Sequence, residues 1–257
     1  MGKETWIGPE TERFPGHVFL KRVPISGQEP YSTDSMVKRI AQVFTFLALY
    51  AAAFFGIAGR LDILQAWAFF GGYMVYSLVL ALFVHDPNLF KERSRGMGSV
   101  KQVWDRVILA VNALGMFGIF VVAALDVGRY AWEPSPPLGV IIAGFVIYYV
   151  GGAILAWSMR TNTFFSTVVR IQEERGHHAI TTGPYRYVRH PGYVGMLLMI
   201  LSTPLALGSY WAMLSASVAA SALIVRTAKE DALLQNELEG HAEYAQQTRS
   251  RLIPGIW

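Results

Sequence analysis

Residues 183–207, GPYRYVRHPGYVGMLLMILSTPLAL, change character abruptly: a block of arginines, tyrosines and one histidine runs straight into an apolar stretch. Ionisable side chains are costly to keep beside hydrocarbon, so a dense group of them at the mouth of a hydrophobic segment points to polar chemistry at a membrane surface. A basic flank that anchors a helix to lipid headgroups also accounts for the arginines. Such an anchor needs neither His190-Pro191 nor the two glycines, Gly192 and Gly195.

Working outward, the chain of 257 residues is 53% hydrophobic and only 16% charged. Several stretches are too long and too apolar for helices of a soluble domain. The expected fold class is therefore all-α, a multi-pass integral membrane helical bundle of about six spans. The six apolar runs are 37–59, 64–84, 107–125, 138–158, 192–207 and 211–225. The last two are shorter, and Gly208-Ser209-Tyr210 joins them as a tight helical hairpin. The first run follows a polar segment, which is not the shape of a cleavable signal peptide. With no cysteine in the chain, disulfides, thiolate metal sites and a cysteine nucleophile are all excluded, and no metal site is expected.

The distribution of positive charge orients the bundle. Counting Lys38 and Arg39 at the polar start of the first run, 20 of the 22 Lys and Arg residues fall on one side, and Arg60 and Arg129 stand on the other. That asymmetry puts both termini and the 183–195 block in the cytoplasm. The net charge of +4 is matched by anionic headgroups and implies no nucleic-acid partner. Residues 1–35 interleave Trp6, Phe14, Phe19 and Tyr31 with charges, which suits either an interfacial segment or an irregular arm.

Two blocks on this face carry the candidate chemistry. Pro191 suits the first turn of a helix, where its missing N–H is not needed, and His190 then stands at the cap. Free N–H groups and the helix dipole make such an end attractive to a carboxylate or phosphate. The alternative for Gly192 and Gly195 is close helix packing. In the second block, Arg226 and Glu230 are four residues apart and share a helix face. An ordinary surface ion pair at this spacing is worth only about 0.3–0.5 kcal/mol. Placed opposite the His-Pro helix, the two can instead hold an anionic and a cationic reactant at once, the planar fork of Arg226 suiting a carboxylate.

Gly183-Pro184-Tyr185, Arg189-His190-Pro191-x-Tyr193-x-Gly195 and Arg226-x-x-x-Glu230 resemble the isoprenylcysteine carboxyl methyltransferase and phospholipid methyltransferase family. The resemblance covers residues 151–257, within a membrane methyltransferase domain expected over 36–257. It implies an integral membrane enzyme that binds S-adenosyl-L-methionine on the cytosolic side and methylates a lipophilic acceptor, most simply a prenylcysteine-like carboxylate or a lipid head group. Carried over by position, it implies cofactor contacts at His177, His178, Ala179, Ile180, Tyr185, His190, Pro191, Gly192, Tyr193 and Glu230. The family's glutamine falls on Arg170 by direct spacing, with Gln172 two residues later as the substitute contact. Arg226 matches the family's substrate arginine, Arg189 is a second candidate for the acceptor side, and His190 is the candidate base where the acceptor is an amine or thiol. Where the family shows consecutive glutamates, this chain has Glu230-Asp231.

Two other function classes compete. Membrane sterol reductases carry a related Arg-His-Pro-x-Tyr-x-Gly pattern and use NADPH, but usually have Asn where this chain has Gly192 and an acidic residue in place of Met196. A non-catalytic transporter or scaffold is the third class, although transporters place polar residues near the bilayer midplane and not at one surface. The topology is directly testable. Reporter fusions at Arg129 and Gly208 are expected outside and one at His177 inside; an external His177 overturns the arrangement.

Overall fold

A computed structural model describes residues 33–84, 92, 100, 102–132 and 134–257. The described residues form helices, turns and loops, with no strand among them. Helix α1 (Thr33–Ala58) and α2 (Leu64–Phe83) are joined by a turn in which Arg60 and Asp62 pair at 2.6 Å. Helix α3 (Val103–Ala124) runs on into one π-helical turn (Leu125–Tyr130). Then follow α4 (Leu138–Thr161), α5 (Pro191–Leu207), α6 (Met213–Glu237) and the short α7 (His241–Gln247). The expectation for residues 1–32 lies outside the described residues.

All six apolar runs are helical, and α1, α2, α3 with its π turn, and α4 are long and apolar enough to cross a membrane. The chain is a multi-pass integral membrane protein. Helix α5, with 17 residues, is about 26 Å long at 1.5 Å per residue, short of the roughly 30 Å of a bilayer's hydrocarbon. The six-span count thus rests on α5 and α6, neither of which meets the length and apolarity of the other four.

Lipid explains which faces are apolar. Leu49, Leu82, Leu114 and Val146 are each more than half exposed, an arrangement costly in water and favourable against acyl chains. Inside, Phe54, Phe69, Phe70, Phe120 and Tyr148 pack with ring centroids 5.1–6.0 Å apart. Such pairs add dispersion and edge-to-face attraction that does not depend on expelling water.

Small residues bring the backbones together where the site is built. A Cβ on Gly195 of α5 would stand 2.5 Å from the Gly151 carbonyl oxygen and 2.8 Å from the Leu155 nitrogen of α4, so only glycine fits. Between α3 and α6, a Cβ on Gly115 would stand 2.8 Å from the Ala219 nitrogen, and the Asn112 side chain donates to the Ala219 carbonyl at 3.0 Å. At the far end, Gly208 (φ +81°) closes α5, with the Gly208 and Ser209 N–H groups returning to Leu205 and Pro204. Ser209 donates to buried Asp126 at 2.6 Å, tying the hairpin turn to the π turn. The α4–α5 contact gives a direct expectation. Gly195→Ala lowers stability in detergent by about 1–3 kcal/mol, because the obstructing atoms are backbone. Gly56→Ala, which meets nothing within 4 Å, serves as the control and does not destabilise; an unchanged melting midpoint for Gly195→Ala refutes the contact.

Candidate functional site

The start of α5 is held from several sides. Pro191 occupies the first helical position, and the N–H groups of Tyr193 and Val194 turn back to the His190 carbonyl at 3.0 and 3.2 Å. The N–H groups of Arg189 and His190 are taken by the Ser250 and Arg251 carbonyls at 2.9 and 3.0 Å. The entry to α5 therefore has fewer free donors than an ordinary helix end, and segment 248–251 is part of its construction.

Asp231 is the fastener. Its side chain, fully buried, receives Arg189 bidentately at 2.7 and 2.7 Å, His190 Nε2 at 3.0 Å, Gln235 Nε2 at 2.7 Å and Arg251 Nε at 2.8 Å. The second η nitrogen of Arg189 donates to the Thr248 and Arg249 carbonyls. Burial alone would raise the Asp231 carboxyl, but the hydrogen bonds from Arg189, His190 and Arg251 outweigh it and hold the group well below the usual carboxylate range. With Nε2 turned to Asp231, Nδ1 is the His190 ring nitrogen left outside the cluster. His241 Nε2, buried 3.7 Å from Asp231 Oδ1, has no hydrogen-bond partner.

Arg226, expected to face an acceptor, is likewise closed onto an aspartate. Its Nε meets Asp105 Oδ1 at 2.8 Å, and its Nη2 donates to the Thr167 carbonyl at 2.8 Å. Asp105 Oδ2 accepts the Val169 N–H at 3.0 Å. Arg170 pairs bidentately with Glu92 at 2.6 and 2.8 Å and with Glu174 at 2.6 Å. Glu230 differs from these carboxylates: Tyr193 donates its hydroxyl to it, and no cation pairs with it among the described residues.

These groups surround a cleft lined by Asn162, Phe164, Phe165, Ser166, Val168, Val169, Arg170, His177, Tyr185, Arg189, His190, Gly192, Tyr193, Glu230 and Leu234. Of the residues named from sequence, His177, Tyr185, Arg189, His190, Gly192, Tyr193 and Glu230 line it. Gly192 lacks the Cβ that would collide with the Phe165 ring. Tyr185 accepts a hydrogen bond from Asn162 at 3.2 Å. The His177 ring packs on Phe164 at 4.5 Å and accepts the Gln172 N–H at Nδ1. Burial first, then His178, His241 and the guanidiniums of Arg175 and Arg170, pushes His177 down to about 4, so it is neutral at physiological pH.

Arg226, Pro191, His178, Ala179 and Ile180 are not among the residues that line the cleft. Gln172 is fully buried, its amide donating to the Phe164 carbonyl at 2.7 Å and accepting from Arg175 at 2.5 Å. It shapes the loop from behind, while Arg170 reaches the cleft. Sequence reasoning passed over Asp105, Asn162, Phe164 and Phe165. Asp105 carried a usable signal, an acidic residue at the polar edge of an apolar run, which is the same rule that singled out 183–195.

Residues 142–236 match the sequence model of the Isoprenylcysteine carboxyl methyltransferase (ICMT) family. A protein-S-isoprenylcysteine O-methyltransferase of Schizosaccharomyces pombe is 41% identical over 46 residues, 18% of this chain and 20% of that protein. A probable protein-S-isoprenylcysteine O-methyltransferase of Oryza sativa subsp. indica is 38% identical over 69 residues, 26% of this chain and 36% of that protein. The similarity thus spans about a fifth to a third of these relatives' length.

The Asp231 cluster predicts its own fragility. Asp231→Asn leaves Arg189 buried without its counter-charge, and breaking such a pair costs about 3–5 kcal/mol. Thermal unfolding in detergent is expected to show that loss together with faster proteolysis near residues 248–251; a wild-type midpoint removes Asp231 as the fastener.

Proposed function

We propose, for a chain whose residues 142–236 belong to the isoprenylcysteine carboxyl methyltransferase family, that the cleft binds S-adenosyl-L-methionine and that the protein methylates a lipophilic acceptor. The observation that carries this reading is Glu230, the cleft carboxylate with no cationic partner among the described residues. An unpaired negative charge beside the rings of Tyr193, Phe165 and Phe164 suits a sulfonium, which binds both to carboxylates and to aromatic faces. When bound, S-adenosyl-L-methionine supplies an electrophilic methyl group.

The residues then divide the work. Glu230 and Tyr193 hold the cationic end, and His177, neutral and stacked on Phe164, forms a wall suited to an uncharged heterocycle. His190 lines the cleft, and its Nδ1 takes the proton where the acceptor is an amine or thiol. A carboxylate acceptor needs no base, and approach geometry then governs the rate. With their forks closed on Asp231 and Asp105, Arg189 and Arg226 contribute by positioning the walls. The acceptor reaches the cleft from the membrane side with its apolar part among the lipid-facing helices. Its class is that of a prenylcysteine-like carboxylate or a lipid head group, met at the cytoplasmic face.

The competing dinucleotide reading is disfavoured by the same pairing. A diphosphate is held by free guanidiniums or free N–H groups at a helix start; Arg170, Arg189 and Arg226 are all committed to carboxylates, and the N–H groups of Arg189 and His190 are already taken by the Ser250 and Arg251 carbonyls. Titration calorimetry with S-adenosylmethionine against NADPH tests the proposal, and binding of NADPH alone overturns it. Glu230→Gln is expected to weaken S-adenosylmethionine binding by about 1.5–3 kcal/mol, the loss of one charge-assisted contact. Unchanged affinity in a folded variant removes Glu230 from the site.

A further inference from the structure

Arg226 and Glu230 are one helical turn apart on α6, the spacing at which an arginine and a glutamate ordinarily pair. They do not pair here. Arg226 is drawn off by Asp105, whose fully buried carboxylate in the first turn of α3 meets Nε at 2.8 Å and Nη2 at 3.5 Å. The same carboxylate accepts the Val169 N–H, so it cannot follow the arginine without breaking the cleft wall. The guanidinium is left over the ring of Tyr193, 5.6 Å from its centre, and Tyr193 in turn donates to Glu230.

We propose that Asp105 is an electrostatic positioning residue for the methyl donor: by holding Arg226, it keeps Glu230 available as the one uncompensated carboxylate of the cleft. Arg170 and Arg189, the other guanidiniums at the cleft, are neutralised by Glu92 with Glu174 and by Asp231, so Arg226 is the cation whose partner decides the balance. Without Asp105, Arg226 turns to Glu230, cancels its charge and sets a positive group against a positively charged sulfur. This inference rests on the reading of the cleft as a site for S-adenosylmethionine.

The test compares that ligand with S-adenosylhomocysteine, which lacks the methyl group and the positive charge on sulfur but keeps the nucleoside and amino-acid parts. In the full-length protein in detergent, Asp105→Asn is expected to weaken S-adenosylmethionine binding about tenfold while changing S-adenosylhomocysteine affinity no more than about twofold, the selectivity of a charge effect. The double variant Asp105→Asn/Arg226→Met removes both charges, and it is expected to bind S-adenosylmethionine within about threefold of wild type, since removing both members leaves no unpaired buried charge to turn on Glu230. It also keeps the test alive should the single variant misfold. Equal losses of both ligands in folded Asp105→Asn, no loss of either, or a selective loss of S-adenosylmethionine in the double variant each overturn the proposal. Failure of wild-type protein to bind either ligand instead overturns the methyltransferase reading on which it stands.

Discussion

A carboxylate taken out of water must be repaid in hydrogen bonds, and Asp231 is the place where this chain meets that constraint most fully. Its two oxygens draw in donors from the approach to α5, from α6 itself and from segment 248–251. Remove the carboxylate and α6 loses its charged link to both, leaving the α5 approach and segment 248–251 joined by backbone hydrogen bonds and by the Arg189 contacts to the Thr248 and Arg249 carbonyls. Apolar packing does not supply the registration, because within a bilayer one greasy face is nearly as good as another. The interior aromatic cluster sets how the helices cross, and the ionic cluster sets how this end of the bundle closes.

The same logic recurs at Asp105–Arg226 and Glu92–Arg170. Each pair contributes little net stability, since desolvation offsets most of the attraction. What the pairs provide is a defined charge for every wall of the cleft. Three guanidiniums are neutralised in place, and Glu230, the cleft carboxylate without a cation among the described residues, shares the cleft with aromatic rings. A site assembled this way discriminates by charge before any contact with the reacting atoms is considered.

Much of this was legible in the residues. The apolar runs gave all six long helices, Pro191 marked the start of α5, and Gly208 marked the hairpin. The block 183–195 and Glu230 were read as a site, and Tyr185, Arg189, His190, Gly192, Tyr193 and Glu230 meet in one cleft. Partner choice was not legible. Arg226 has an acidic neighbour at helical spacing, yet its partner lies 121 positions away, on a helix whose approach depends on Gly115 fitting against Ala219. Likewise, spacing alone could not say that Arg170 reaches the cleft while Gln172 turns inward, because that depends on Glu92 from another part of the chain. Sequence patterns report local geometry, whereas the choice between competing partners is made by the fold as a whole.

The bonds from Arg189 to the carbonyls of Thr248 and Arg249 carry a consequence for the order of biosynthesis. A chain is made from its N-terminus, and its earlier parts organise first. Helices α1 to α4 can therefore settle in the bilayer before the α5 entry acquires its last hydrogen bonds. The cleft is finished only when residues sixty positions downstream arrive and fold back onto it. Completion of the cleft then becomes a late checkpoint, reached once the spanning scaffold is in place, and a molecule arrested before that point would be inserted with its cleft unfinished.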